Sequence, residues 1–455
     1  MQILIFPNTE VVAILKEQPI YKNVKYRWLK HILMEDVDGG KLIFNTLTRS
    51  LIHLTYKEFS EVLTDKLKYE LLYRSYFLVP EDFKDMETID NVRDHFKAPV
   101  DDMYLENVNS FVILSTTKCN ARCFYCYELH EKGKKHMTLE TAKKVADYIM
   151  RTADIMQPVN LSWFGGEPLY NIPVIDLICN TLKDNGYTYS SGFVTNAILL
   201  DEKVINKAKN LWNITHAQIT IDGTESTYNK VKNYIYKDIK SPYKKVINNI
   251  ALLLNNNIGV SVRMNIDMHN SEDLKDLVWE CRNRFKNHSK FSMYAYPIFE
   301  NADYSRDEEK RDLVFKKLAE LEKVMLDCGY FYGEPVRLTT KAAQCIADSG
   351  DSVLISPNGD LGTCEHYISS DFWGHIDDPD KKDFEIISGW RLYESPWEGC
   401  KDCPIYGNCI RPIKCEEMRK CDKRYKEWFI RKATQGILIY YYNNRNIDDE
   451  YIKIE

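Results

Sequence analysis

At 455 residues the chain has room for two or three domains and a sizeable core. With 44% hydrophobic and 28% charged residues it has the composition of a soluble globular protein, and its net charge of -6 gives no sign of a nucleic-acid surface. No stretch has the apolar length that spans a bilayer, and MQILIFPNTEVV has no basic head before a long apolar run, so neither membrane nor signal peptide is expected and a cytoplasmic setting is.

Residues 1–105 contain no cysteine. Within them KLIFNTLTRSLIHLT places two apolar runs around a polar, turn-like centre, which predicts a hairpin, and the helical pattern YKEFSEVLTDKL follows. EDFKDMETIDNVRDHF predicts a surface helix or linker, so the segment as a whole predicts a small α+β module.

From Phe111 onward, apolar runs such as FVILSTT, VNLSWF, SSGFVTN, HAQITI, GVSVRMNI and KFSMYAYPIF alternate with amphipathic helical stretches. Alternation of this kind predicts βα units around a parallel sheet. Six units over residues 106–305 predict an α/β fold, an open partial (β/α)6 barrel, with doubly wound topology as the alternative. DEEKRDLVFKKLAELEKVMLDCG predicts a bridging helix within 306–340, and 341–455 is rich in Gly, Pro and Cys. GILIYYYNN near the C-terminus predicts a short buried strand.

Clustered thiols in a reducing compartment hold metal more often than they form disulfides. Of 13 cysteines, three lie between Cys119 and Cys126 and seven between Cys345 and Cys421; Cys179, Cys281 and Cys328 stand alone and are expected as small buried side chains. TTKCNARCFYCYE sets Cys119, Cys123 and Cys126 in a C-x3-C-x2-C loop after the first barrel strand. Three thiolates can hold a 4Fe–4S cluster and leave its fourth iron without a protein ligand. With His130 the same loop offers four zinc ligands, so a structural zinc site is the competing reading.

This loop, with an aromatic residue, Tyr125, before its third cysteine, resembles the radical S-adenosylmethionine (SAM) superfamily. The resemblance implies that SAM binds the open iron and that an electron from the reduced cluster yields a 5′-deoxyadenosyl radical. It extends to later strand ends. Gly165, Gly166, Glu167 and Pro168 in WFGGEP match the turn that receives the methionyl ammonium; Thr195 and Asn196, Thr220 and Asp222 in ITIDG, and Arg263 match regions that contact SAM or substrate. Ends of successive parallel strands converge on one face, where βα barrels place their chemistry.

The segment from Cys345 through the G-x4-C element ending at Cys364 to Cys400, Cys403, Cys409, Cys415 and Cys421 resembles the SPASM domain, which implies two auxiliary 4Fe–4S clusters. The gap before Cys415 is longer than the family's and the gap before Cys421 unusually short, which leaves those two roles open; one or two zinc ribbons are the competing reading. By the resemblance Cys345, Cys364 and Cys415 hold one cluster and Cys400, Cys403, Cys409 and Cys421 the other. Two cubanes need eight ligands and seven cysteines are present, so His366, Cys328, water or a substrate thiolate would complete the set.

The N-terminal segment resembles a RiPP recognition element, a winged-helix-like module that pairs a leader peptide with its strand edge. Together these resemblances imply maturation of a ribosomal precursor peptide, with thioether cross-linking as the leading reaction and an electron donor such as flavodoxin or ferredoxin. Carbon–carbon or carbon–oxygen cross-linking, formylglycine formation in a sulfatase and a non-catalytic zinc-binding adaptor are the competing functions. No general base is identifiable from the sequence.

Overall fold

A computed structural model describes residues 1–16, 20–21, 23–66, 68–102, 105–106, 108–130, 134–298, 307–330, 345–366, 370–393, 395–410, 412–415 and 421–444. The chain divides into two compact units. One holds residues up to Asp102 together with those from Trp390 onward, and the other holds most of what lies between.

The first unit contains β1 (Gln2–Ile5), β2 (Tyr26–Trp28), β3 (Ile32–Val37), β4 (Gly40–Asn45), β5 (Ser50–Thr55) and β6 (Leu78–Pro80). Four of these make an antiparallel sheet in the order β1-β5-β4-β3, and β2 pairs with β6. The predicted hairpin is β4–β5, with Asn45 opposite Ser50. Its turn is held from within: Asn45 Oδ1 accepts the backbone N–H of Leu47 at 2.9 Å and of Thr48 at 3.1 Å. Thr55 then caps the helix Tyr56–Glu61 reciprocally with Glu58, which fixes where the strand ends and the helix begins.

The charged stretch is the helix Asp85–Asp102. GILIYYYNN, expected as a strand, is instead the end of a long helix, Lys423–Asn444. Its Ile and Tyr content favours a strand locally, but its buried residues, Tyr425, Trp428, Gly436, Ile437 and Tyr441, include pairs three and four apart, as on one face of a helix. Ile437 and Tyr441 join one core with Leu42, Phe44 and Leu51 of the sheet and with Cys400, Cys403, Ile405 and Tyr406.

The second unit is the barrel. Strands β7 (Ser110–Thr116), β8 (Val159–Gly165), β9 (Tyr189–Thr195), β10 (Ile214–Thr220), β11 (Gly259–Ile266) and β12 (Phe291–Pro297) pair in parallel, each with the next in sequence. Helices including Leu139–Thr152, Ile172–Asp184, Pro242–Asn255 and Ser271–Phe285 run between them. Beside β7 lies β13 (Ser352–Ile355), also parallel, and β14 (Asp360–Gly362) and β15 (Gly374–His375) extend the sheet antiparallel.

The predicted bridging helix is Glu308–Asp327, and the rest of that region beyond Tyr330 lies outside the described residues. Cys179, Cys281 and Cys328 are buried. Among the described residues no helix is long and apolar enough to cross a membrane.

Candidate functional site

The strand ends of the barrel converge on the loop that carries Cys119, Cys123 and Cys126. Strand β7 delivers the loop, and backbone bonds tie its start to the returning chain: Thr117 N–H donates to Lys135 O at 2.9 Å. On one side the turn after β8 presses against it. Gly166 N–H donates to Thr116 O and Glu167 N–H to Lys118 O, both at 3.0 Å. This approach has no room for a side chain, since a Cβ on Gly166 would stand 2.4 Å from Lys118 O. Gly165 is in addition left-handed, at φ 107.

Glu167 is fully buried and anchors that turn to β9. Its carboxylate accepts Leu169 N–H at 3.1 Å, the Thr195 hydroxyl at 2.7 Å and Asn196 N–H at 2.8 Å. Burial nevertheless pushes its carboxyl up to about 7. Asn196 continues the chain of contacts, donating from Nδ2 to Asn120 Oδ1 at 2.7 Å and to Cys119 Sγ at 3.9 Å. Pro168 is buried in the first position of the short turn Pro168–Asn171.

The other side of the loop is held by a buried charge network. Tyr125 donates its hydroxyl to Asp222 Oδ2 at 2.7 Å, and Lys232 Nζ reaches Tyr125 Oη at 2.9 Å and Asp222 Oδ2 at 3.1 Å. Burial alone would lower the Lys232 ammonium, but Asp222 and then Cys123 and Tyr125 outweigh it and hold it well above the ordinary lysine range. Backbone contacts complete the grip: Arg122 N–H donates to Lys232 O at 2.8 Å and Ile235 N–H to Asn120 O at 2.9 Å.

The structure therefore brings the three cysteines, Tyr125, Gly165, Gly166, Glu167, Thr195, Asn196 and Asp222 together. Thr220 and Arg263 stand opposite each other in the β10–β11 register. Arg263 joins the group at one remove: its Nε donates to Asn265 Oδ1 at 3.0 Å, and Asn265 N–H donates to Asp222 Oδ1 at 3.3 Å. Asn120, Lys232 and Asn265 belong to the site and sequence reasoning missed them. Lys232 is one of two lysines at the end of the helix Glu225–Lys232, and nothing in that pattern marks the buried one.

The later cysteines fall in both units. In the second unit Cys345 caps the short helix Ile346–Ser349, and Cys364 follows β14. Tyr127, next to Cys126, donates to Glu365 O at 3.0 Å and stacks on His366 at 4.9 Å. Cys328 ends the helix Glu308–Asp327, with Cys281 near the same tyrosine, Tyr330. The side chain of His130 lies outside the described residues.

In the first unit Cys400, Cys403, Cys409 and Cys421 line a single pocket of about 590 Å³, its open mouth included. Cys415, whose N–H donates to Pro412 O at 3.0 Å, is not among its lining residues. Arg93 and Lys426 bring positive charge to the pocket. Among the described residues no three His, Cys, Asp or Glu side chains form a group fit to hold a single metal ion.

Residues 113–279 match the model of the Radical SAM superfamily. That stretch is a radical SAM domain. Relatives include an uncharacterized protein of Methanocaldococcus jannaschii, 25% identical over 289 residues, 61% of this chain and 92% of the relative. GTP 3',8-cyclase of Clostridium perfringens is 29% identical over 182 residues, 39% of this chain and 53% of the cyclase. The sporulation killing factor maturation protein SkfB of Bacillus subtilis is 26% identical over 170 residues, 37% of this chain and 38% of SkfB. The chain thus spans about half of the cyclase and less of SkfB. Among solved structures, native anSMEcpe with bound AdoMet and Cp18Cys peptide has a TM-score of 0.53 at 14% identity, over 74% of this chain and 99% of that one, which shows a shared fold.

The cofactors of a radical SAM enzyme are SAM and a 4Fe–4S cluster, and the donor set fits them. Burial pushes the Cys119 thiol up to about 12 and the Cys126 thiol up to about 11, so they stay protonated unless a metal takes them as thiolates. The polar groups around them come from the strand ends, from the loop itself and from Lys232 at the end of a helix.

Proposed function

We propose that this enzyme matures a ribosomally made precursor peptide, forming a thioether between a cysteine and another residue. The observation that carries the reading is the coexistence of two cysteine sites in one chain, one on the barrel loop and one in the first unit. Cross-linking is an oxidation. The substrate gives up a hydrogen atom and a thiol proton, and one further electron must leave, so a second iron–sulfur site is a suitable acceptor. The maturation role printed for SkfB and the peptide bound to anSMEcpe support a peptide substrate. The cyclase match spans only part of that relative and carries no matching argument.

SAM bound beside a reduced cluster on the barrel loop would supply the one-electron chemistry that removes a hydrogen atom from substrate carbon. The chain's own residues prepare the place. Gly166 lets the turn come close, Glu167 fixes β8 against β9, and the Lys232–Asp222–Tyr125 network holds the other flank of the loop. Cys119, Cys123 and Cys126 would hold the barrel cluster, Cys400, Cys403, Cys409 and Cys421 one auxiliary cluster, and Cys345, Cys364 and Cys415 would contribute to another. Gly165, Gly166, Pro168, Thr195, Asn196, Thr220 and Arg263 would shape the SAM and substrate side.

The leader would pair with the sheet of the N-terminal segment, as an added strand. Electrons would come from a flavodoxin or ferredoxin in a reducing, cytoplasmic setting.

The test is anaerobic turnover of reconstituted enzyme with SAM, reductant and a cysteine-containing peptide encoded beside its gene. Formation of 5′-deoxyadenosine with a peptide lighter by two hydrogens and one cysteine resistant to iodoacetamide supports the thioether. The same mass change with every cysteine still alkylated points to carbon–carbon or carbon–oxygen bonds. Failure to cleave SAM with any peptide removes the proposal.

A further inference from the structure

Helix Asp85–Asp102 of the N-terminal segment reaches the cysteine pocket of the first unit through one residue, Arg93. Its guanidinium is fixed from two sides. Nη1 donates to Asp90 Oδ1 and Nη2 to Tyr406 O, each at 2.8 Å, and the group lies 4.9 Å over the Tyr406 ring. Tyr406 is locked in turn by its hydroxyl, which donates to Asp90 Oδ1 at 2.7 Å. These contacts use the outer nitrogens and leave Nε–H buried without a partner among the described residues.

A second residue lining the pocket shows the same feature. The Trp397 Nε1–H is buried with no partner among the described residues, and an indole N–H is a donor only. The other cation of the pocket differs, since Lys426 Nζ donates to Gly399 O at 2.8 Å. Buried N–H groups are nearly always satisfied, and the two residues that carry these orphaned donors both line the pocket, which points to an acceptor there. The pocket's own abundant acceptor is sulfur, from Cys400, Cys403, Cys409 and Cys421.

We propose that Arg93 and Trp397 donate hydrogen bonds to the sulfurs of an iron–sulfur cluster held by these four cysteines, so that the N-terminal segment helps set its reduction potential. This rests on reading the pocket as a cluster site. Hydrogen bonds and positive charge near cluster sulfur stabilise the more negative, reduced form and raise the potential. Both residues would touch the cluster and neither the substrate, so their effect is on its potential. The arrangement also gives the N-terminal segment a task besides docking a peptide.

The experiment uses the full-length chain with Cys119, Cys123 and Cys126 changed to Ala, which silences the barrel cluster. Iron is counted after anaerobic reconstitution, and the midpoint is measured by EPR-monitored titration. Cys400→Ala with Cys403→Ala tests the underlying reading: it must remove about four irons per chain, and unchanged iron would show that the pocket holds no cluster. Trp397→Phe removes one N–H and keeps the ring. Arg93→Lys keeps the charge and loses Nε–H.

The expected result is full iron content with the midpoint moved to more negative potential in each variant. A tenfold fall in the reduced-to-oxidised ratio at fixed potential corresponds to about 59 mV for one electron. Retained iron with unchanged midpoints in both variants overturns the proposal. So does loss of the cluster in Trp397→Phe, which would show a packing role instead.

Discussion

Lys232 and Asp222 form an ion pair at 3.1 Å with both side chains almost wholly buried, and both reach the hydroxyl of Tyr125 on the cysteine loop. Removing one partner strands the other charge. Lys232→Met is expected to cost about 3–5 kcal/mol, and Asp222→Asn a similar amount. The double variant is expected to be less damaging than the sum, because no charge is left uncompensated. Urea unfolding of the four proteins under anaerobic conditions measures this, and strict additivity would mean that the pair does not act as one.

Gly166 offers a sharper separation between folding and cofactor assembly. Gly166→Ala places a Cβ 2.4 Å from Lys118 O and 2.9 Å from the Thr117 carbonyl carbon, both backbone atoms that cannot rotate away. The turn after β8 must then withdraw from the cysteine loop. The expected outcome is loss of about four irons per chain on reconstitution, with the circular dichroism of the helices kept. A full iron count in Gly166→Ala would mean that the loop tolerates the shift.

The barrel was legible because its strands read as short segments rich in apolar residues, buried almost throughout in FVILS and alternating in VNLSW, between amphipathic helices. The cysteine loop and WFGGEP were legible because spacing and glycine carry their own chemistry. Lys232 and Asn265 were not, since their role depends on what the fold packs beside them. GILIYYYNN misled for a related reason: its local strand preference gives way to a helix whose Ile437 and Tyr441 pack into the core of the N-terminal sheet. The joining of residues from both ends of the chain in one unit is a long-range fact that no local pattern encodes.

Glu167 gives a pH signature to the chain without its cofactors. Burial raises its carboxyl from an ordinary 4.5 to about 7, so the folded chain holds the proton more tightly than the unfolded one. The corresponding stability is fully present below about pH 4.5 and is lost as pH rises through about 7, a difference of about 3 kcal/mol. The midpoint of urea unfolding is therefore expected to fall between pH 5 and 7, and Glu167→Gln to flatten that part of the profile. An unchanged slope in the variant would place the titration elsewhere.

The hairpin turn of the N-terminal sheet docks on the cysteine-bearing loop of its own unit. Thr46 donates its hydroxyl to His31 O at 2.6 Å and lies 3.2 Å from Pro404 O, while Arg49 Nη2 donates to Gly407 O at 3.0 Å. His31 Nδ1 lies 2.8 Å from Cys403 O. Gly407 makes the contact possible, because a Cβ there would stand 2.6 Å from Thr46 O. Gly407→Ala is expected to force the loop off the turn and to remove about four irons per chain, leaving the barrel cluster in place. Thr46→Val, which loses hydrogen bonds without a clash, is expected to cost about 1–3 kcal/mol and keep its iron. If Gly407→Ala keeps all its iron, the cysteine pocket does not depend on the sheet, and the N-terminal segment is a separable module after all.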